Sequence, residues 1–145
     1  NMNEKIANDL KAAMKSSDKF KLSVLRMLKS ALQLESISKK HELSDDEVMS
    51  VVKKQVKTRK DSIEEFKKYN KTEEVEKLEQ EIEILNTYLP EEMSEEEISK
   101  VIDEVFNELN PTSMKEMGMV MKELNAKITN ADMSLVSKMV KERLS

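Results

Sequence analysis

The chain has 145 residues, enough for one ordinary domain or two small ones, and 38% of them are hydrophobic. With one Gly and two Pro it lacks the turn residues on which β-hairpins depend, and it has no Cys. These counts predict an all-α fold and exclude disulfides, thiolate metal sites and a cysteine nucleophile. No apolar run approaches the roughly 20 residues of a membrane span, so we expect a cytoplasmic protein with no membrane partner.

The net charge of -4 is unevenly distributed along the sequence. Residues 71–110 contain 14 Asp and Glu against 3 Lys and Arg, whereas the segments on either side carry an excess of Lys and Arg. Such asymmetry bears on partners and solubility rather than on the fold.

Four helices are predicted before residue 90. The first covers residues 3–16, with Ile6, Leu10 and Met14 on one face. The second covers residues 19–38, begins after the cap residue Asp18, and is predicted to be the central helix because two apolar lines run along it. These lines are Leu22, Leu25, Leu28 and Leu32, and beside them Val24, Met27, Ala31 and Leu34.

Helix three begins at a capping box, in which Ser44 and Glu47 satisfy each other's backbone N–H groups, and it runs to about residue 69. Its inward line is Val48, Val52, Val56, Ile63 and Phe66, with Arg59 on the same side. Helix four covers residues 72–89, and its 3,4 alternation is typical of one member of an antiparallel helix pair. The alternating residues are Val75, Leu78, Ile82, Leu85 and Leu89.

Pro90 disfavours the helical conformation at Leu89 and so predicts a break in the chain. Beyond it, capping boxes at Ser94 and Ser113 open helices over residues 94–109 and 113–124, and a last helix covers residues 133–144. We therefore predict an N-terminal four-helix, bundle-like domain over residues 2–89, a hinge over residues 90–93, and a C-terminal three-helix domain over residues 94–145.

Four motifs resemble the YqeY family in their order and spacing: LSVLRMLKSAL at residues 22–32, VKTRKDSIEEF at 56–66, LNTYLPEEMSEEEI at 85–98 and SMKEMGMVMKEL at 113–124. The resemblance implies an N-terminal helical bundle and a C-terminal domain similar to the tail of the B subunit of the tRNA-dependent amidotransferase. That tail is thought to hold the tRNA body, and a YqeY-like domain is also appended to some glutaminyl-tRNA synthetases. The implied partners are thus tRNA, an amidotransferase or an aminoacyl-tRNA synthetase. The family's usual Gly and Arg before the last helix are absent from residues 126–133.

Seven lysines are candidate nucleic-acid contacts. Three recur at helical spacing on helix three and are able to follow phosphates without reading sequence, although a stripe of this kind is also typical of a solvated helix face. They are Lys53, Lys57 and Lys60. Four more, which rest on the family resemblance, are Lys122, Lys127, Lys138 and Lys141. With three Phe and two Tyr in the chain, contact with the RNA backbone and shape is favoured over base stacking.

Other residues have mainly structural interpretations. Arg26 and Arg59 are predicted to form ion pairs with Asp61, Glu35 or Asp18, with an anion site between the helices as the alternative. His41 is predicted on the surface. The methionines near residue 117 are predicted to fill the core, with Met119 exposed, although a Met cluster is also compatible with an adaptable groove. Gly118 costs a helix about 1 kcal/mol, which indicates close approach of another backbone.

No residues suited to catalysis, metal binding or a cofactor stand out. There is no Gly-rich loop for a nucleotide phosphate, and one His does not organise a Ser-His-Asp set. A carbon-nitrogen ligase label, with glutamine as amide donor, would describe the catalytic domains of relatives. Three hypotheses follow: a tRNA-associated binding module, a protein-protein adaptor, or an accessory subunit of an amidotransferase-type ligase without chemistry of its own.

Overall fold

The computed structural model describes residues 1–145, and every regular element in it is helical, which confirms the predicted all-α class. The α-helices are α1 (Met2–Lys15), α2 (Lys19–Lys39), α3 (Asp45–Lys68), α4 (Thr72–Asn86), α5 (Glu95–Leu109), α6 (Met117–Lys127) and α7 (Met133–Leu144). A short 3-10 helix, Met114–Glu116, directly precedes α6. Contacts divide the chain into two compact units, Asn1–Leu89 and Pro90–Ser145, which we call unit 1 and unit 2.

The starts of α3 and α5 follow from local chemistry. Ser44 Oγ accepts the N–H of Glu47 at 3.2 Å, and Glu47 Oε1 accepts the N–H of Ser44 at 2.9 Å. Ser94 and Glu97 form the same reciprocal pair, at 3.2 Å in each direction. Each pair satisfies two backbone donors that would otherwise be unpaired, so both helices begin where the capping boxes predict.

Helix α2 contacts α1, α3 and α4, as expected of the predicted central helix, but α3 likewise contacts the other three helices, so the two share the centre of unit 1. The buried side chains of α2 share one core with residues of the other helices, among them Ile6, Ala13, Val48, Val52 and Leu85. The prediction that Met14 faces inward is wrong, because 52% of this residue is exposed. Ala13, seven residues after Ile6, points in nearly the same direction from the helix axis as Ile6 does. Met14 points about 80° away from Ile6 around the helix.

The second apolar line of α2 is partly uncovered. Val24, Leu25, Leu28 and Leu32 are buried, but Met27 is 45% exposed and Leu34 is 70% exposed. The prediction that both of these residues are inward is therefore wrong. The helices around α2 cover one broad side of it, and Met27 and Leu34 lie outside that side.

Helix α4 ends at Asn86, three residues before the predicted end at Leu89. Beyond Asn86 the N–H groups of Thr87, Tyr88 and Leu89 each bond to the carbonyl three residues earlier, so the chain before Pro90 forms a tighter turn. Tyr88 in this turn is 7% exposed, and its hydroxyl donates to Asp9 Oδ2 on α1 at 2.6 Å.

In unit 2, α5, α6 and α7 surround a core built from both aliphatic and methionine side chains. Its fully buried members are Ile98, Ile102, Val105, Val120, Leu124, Val136 and Val140. Residues 90–93 are bonded into this unit. The N–H of Met93 donates to the carbonyl of Asn130, and Asn130 Nδ2 donates to the carbonyl of Pro90, both at 2.8 Å.

The helix predicted over residues 113–124 differs in two ways from the observed structure. It begins as the 3-10 helix, where Glu116 Oε2 accepts the N–H of Ser113 at 3.1 Å, and its α-helical part continues to Lys127. The expectation that another backbone lies close to Gly118 is wrong. A Cβ added at Gly118 would meet no atom within 4 Å, so packing does not require glycine there.

Candidate nucleic-acid interface

The three candidate lysines of α3 differ in their accessibility. Lys57 is exposed, whereas Lys53 and Lys60 are half-buried at the edge of the helix face. Lys57 Nζ lies 3.3 Å from Asp61 Oδ2, and both side chains are more than 60% exposed. An exposed pair of this kind is weak, about 0.3–0.5 kcal/mol, so it leaves Lys57 available to a phosphate.

Arg59, which lies between Lys57 and Lys60 in the sequence, belongs to the interior of unit 1. Its Nε donates to Glu81 Oε1 on α4 at 3.2 Å, and its Nη1 donates to the carbonyl and the side-chain oxygen of Gln55 at 3.0 and 2.9 Å. The prediction that Arg59 forms an ion pair is confirmed, but the predicted partners Asp61, Glu35 and Asp18 are wrong. The partner lies 22 residues away, on the helix that packs along α3.

The alternative of an anion site between the helices does not fit this arrangement, because the guanidinium of Arg59 is already bound by protein oxygens. Arg26 is exposed on α2, and its predicted ion pair with Asp61, Glu35 or Asp18 is not formed.

Among the candidate lysines of unit 2, Lys122 on α6 and Lys138 and Lys141 on α7 are exposed. They lie on the solvent sides of these helices, away from Val120, Leu124, Val136 and Val140. Lys127 differs, because its Nζ is 3.2 Å from Glu108 Oε1 on α5. The hydrogen bond to Glu108 is the main cause that raises the pKa of Lys127, so this lysine stays charged but part of its charge is already balanced.

His41 is on the surface, as predicted, and it joins the capping box of α3. Its Nε2 is 3.4 Å from Glu47 Oε2, and Lys39 Nζ is 3.5 Å from the same oxygen. The pKa of Glu47 is lowered mainly because the carboxylate accepts the N–H of Ser44, with His41 and Lys39 contributing less. The arrangement stabilises the start of α3.

Few aromatic or methionine side chains are available for contact with bases. Tyr69 is 69% exposed at the end of α3, and Met119 is 46% exposed, as predicted. Met117 and Met121 are half-buried against the core of unit 2, which agrees with their predicted role in packing. Met114 is 46% exposed, so its predicted place in the core is wrong. Nowhere do three or more His, Asp or Glu side chains converge in a way suited to a metal ion.

The sequence reasoning missed a groove of about 450 Å³ between α2 and α3. Its walls include Ala31, Leu34 and Lys39 from α2, and Val51, Lys54 and Gln55 from α3. A signal was present in the sequence: Leu34 and Ile37 are apolar but lie off the line of buried leucines on α2. Only the packing of the neighbouring helices shows that they stay uncovered.

Fold and surface together define an all-helical protein of two units whose candidate contacts are seven lysines on helix faces, four of them exposed. The family model described as Yqey-like protein matches residues 3–144. The chain therefore belongs to the YqeY family.

Similar proteins occur in fungi. An uncharacterised protein of Schizosaccharomyces pombe is 35% identical over 94 residues, which are 65% of this chain and 76% of the relative. A protein of Lachancea thermotolerans named altered inheritance of mitochondria protein 41, mitochondrial, is 33% identical over 74% of this chain and 59% of its own length. A protein of the same name from Pyrenophora tritici-repentis is 28% identical over 92% of this chain and 76% of its own length.

The prediction of a cytoplasmic protein is contradicted by these relatives, because the two whose names include a location are mitochondrial. The prediction rested on the lack of an apolar run long enough to span a membrane, which does not distinguish one compartment from another. None of the helices is both long enough and apolar enough to span a bilayer.

Proposed function

We propose that this protein is a tRNA-associated binding module that contributes contacts and no chemistry of its own. The observation that carries the proposal is the accessibility of the candidate lysines. Lys57, Lys122, Lys138 and Lys141 are exposed, and none of the seven candidates is buried. Side chains of this kind neutralise phosphates and release counterions, which is the main source of sequence-independent affinity for nucleic acids.

The mode of contact follows from the rest of the surface. Because exposed aromatic side chains are scarce, we expect the protein to bind the backbone and shape of a folded RNA rather than unstacked bases. The family resemblance favours tRNA over other RNAs, since it relates unit 2 to the tail of an amidotransferase subunit. The lysines of α3 are a second candidate surface that this resemblance does not include.

A salt titration of the affinity for total tRNA tests the proposal. If three to five phosphates are neutralised, the slope of log K against log salt is about -2 to -4, so the affinity falls about 20- to 200-fold between 50 and 200 mM salt. Fluorescence anisotropy with labelled tRNA measures this directly. Absence of binding at low salt would overturn the proposal.

Charge reversals identify the unit that makes the contact. One variant replaces Lys53, Lys57 and Lys60 with Glu, and a second replaces Lys122, Lys138 and Lys141 with Glu. A third variant, with Glu at the exposed residues Lys11, Lys15 and Lys19, changes the net charge by the same amount and serves as the matched control. The responsible surface is the one whose reversal weakens binding and reduces the salt slope by more than the control does.

The rival hypotheses are a protein adaptor and an accessory subunit of an amidotransferase-type ligase. The adaptor hypothesis predicts that the protein has no appreciable affinity for free tRNA at low salt. The accessory role predicts co-purification with ligase or synthetase subunits.

A further inference from the structure

Methionine is concentrated in unit 2, which holds seven of the eleven methionines of the chain although it is the smaller unit. None of these seven residues is buried. This is unusual, because Met is among the residue types that are most often fully buried in proteins. The fully buried core of unit 2 is aliphatic instead, so every methionine of this unit is a side chain that solvent reaches at least in part.

The seven methionines form two groups that differ in what they contact. Met114 and Met119 are each 46% exposed and lie outside the packing around the core. The other five are half-buried and pack against the core, and we call them the flanking methionines: Met93, Met117, Met121, Met133 and Met139. In unit 1 only Met2 packs against the core as a partly exposed methionine.

The flanking methionines lie beside the buried residues of their helices. On α6, Met117 and Met121 each precede a buried residue by three positions, Val120 and Leu124, and three positions is the spacing of neighbours on a helix surface. On α7, two more flanking methionines lie three positions before and after Val136. An oxygen added to one of these sulfur atoms would put a polar group against aliphatic side chains or turn the side chain out to solvent. Either way the core loses apolar contacts.

Oxidation of these side chains requires only an oxidant of the peroxide class. The chain has no Cys, so no thiol of its own competes with the thioethers. The lone pair of Met Sδ attacks one oxygen of hydrogen peroxide, the S–O bond forms and the O–O bond breaks. Hydroxide leaves and takes up the proton of the new S–OH group. Sulfur is thereby oxidised by two electrons, peroxide is reduced, and the products are methionine sulfoxide and water.

We propose that the flanking methionines are a modification site at which peroxide forms sulfoxides, and that this oxidation loosens unit 2 while unit 1 stays folded. Met114 and Met119 are oxidised as well, but without structural consequence, because they do not pack against the core. A unit as small as unit 2 is sensitive to such a change, since small domains bury less of their surface and are only marginally stable. Methionine sulfoxide reductases reverse the reaction, so the modification acts as a switch.

The switch has a consequence for RNA binding that rests on the proposed function. Lys122, Lys138 and Lys141 lie on α6 and α7, so loosening these helices disperses the candidate RNA surface of unit 2. The structural effect itself does not depend on that function and is measured without RNA. Its absence therefore contradicts the switch and leaves the proposed tRNA binding standing.

The test exposes the full chain to hydrogen peroxide and follows it by mass spectrometry. Peptide analysis assigns each sulfoxide, and amide hydrogen exchange reports separately on peptides from the two units. We expect exchange in α6 and α7 to become at least about tenfold faster once Met117 and Met121 carry sulfoxides, whereas exchange in α2 and α3 remains unchanged. Incubation with the two methionine sulfoxide reductases, one for each epimer, restores slow exchange.

Two Leu variants show which sulfur atoms matter. The first replaces the four flanking methionines of α6 and α7 with Leu, which has nearly the same volume and no oxidisable sulfur. Peroxide then no longer accelerates exchange in these helices. The matched control carries Met114→Leu and Met119→Leu, and it responds to peroxide as the wild type does.

Two Gln variants imitate the polarity of the sulfoxide without any oxidant. Met117→Gln with Met121→Gln accelerates exchange in α6 and α7 at least about tenfold, because two polar groups then lie against the core. Met114→Gln with Met119→Gln leaves exchange unchanged, since both residues are exposed. This pair decides the question even if the Leu variant does not fold.

Any of four outcomes would overturn the proposal. The flanking methionines remain unoxidised at a peroxide concentration that fully oxidises Met114 and Met119. Exchange in unit 2 is unchanged although Met117 and Met121 carry sulfoxides. Exchange accelerates equally in both units. The two Gln variants behave alike.

Discussion

Replacing Glu81 with Gln removes the charge opposite Arg59 and keeps the size of the side chain. In the native protein Arg59 Nε is 3.2 Å from Glu81 Oε1, and the two side chains are 10% and 9% exposed. Arginine does not lose its proton in proteins, so the variant buries a guanidinium without a counter-charge. Breaking a buried pair in this way costs about 3–5 kcal/mol. Gln55 still accepts two hydrogen bonds from Nη1, so we expect the lower end, about 3 kcal/mol.

This loss is large compared with the stability of unit 1. A unit that spans residues 1–89 has a free energy of unfolding of about 4–13 kcal/mol at ordinary stability per residue. Replacing both Arg59 and Glu81 with Met restores the stability to within about 1 kcal/mol of the wild type, because no buried charge then remains. Asp61→Asn, which breaks the exposed pair with Lys57 on the same helix, is the control and costs less than about 0.5 kcal/mol.

Urea unfolding followed by tyrosine fluorescence measures these differences in unit 1 alone. Both tyrosines, Tyr69 and Tyr88, lie in that unit and the chain has no Trp, whereas far-UV circular dichroism reports on both units. A loss below about 1 kcal/mol for Glu81→Gln would refute the reasoning. So would an equal loss in the double Met variant, because removal of the charges would then not restore stability.

Three further predictions concern individual side chains. Gly118→Ala stabilises the protein by about 0.5–1 kcal/mol in urea titrations, since a Cβ there meets no neighbour; a loss would show that the site requires glycine. Tyr88→Phe lowers the stability of unit 1 by about 1 kcal/mol, because the hydrogen bond to Asp9 is lost. Burial and then that hydrogen bond raise the pKa of the Tyr88 hydroxyl above 10.0 in the folded protein. The neutral hydroxyl therefore contributes its full share to the free energy of unfolding below pH 10, and this share is lost as the pH rises through the pKa of the folded state. The Phe variant lacks this loss of stability at alkaline pH. The hydrogen bond from the N–H of Ser94 lowers the pKa of Glu97 below 4.5. The ionised carboxylate therefore stabilises the folded protein above pH 4.5, and this contribution disappears on acidification. We expect the stability of Glu97→Gln, measured by circular dichroism, to fall less between neutral and acidic pH than that of the wild type.

Features set by residues within one or two turns of each other were predictable from the sequence. The capping boxes at Ser44 and Ser94 are correct because their hydrogen bonds connect residues three positions apart. The buried line of α2 through Leu25, Leu28 and Leu32 is correct because helical periodicity places these residues on one side. In both cases the information lies within a single helix.

Errors arose where the answer depended on a distant part of the chain. Glu81 was not expected as the partner of Arg59, because 22 residues separate them and only the packing of α4 along α3 brings them together. The burial of Tyr88 beyond the end of α4 was not expected either, because its hydroxyl binds Asp9, which is 79 residues away in the sequence. The surroundings of Gly118 were also misjudged, since propensity measures the cost of a glycine and says nothing about the space around it.

The same distinction between local and long-range information applies to the candidate sites. Composition and periodicity alone establish a helical chain with lysines recurring along its helices, because they require only the identity and spacing of residues. The accessibility of Lys57, the pairing of Lys127 with Glu108 and the uncovered line of Met27, Leu34 and Ile37 depend on which helices pack together. Burial is a property of the assembled fold, since an apolar residue becomes part of the core only when another element covers it.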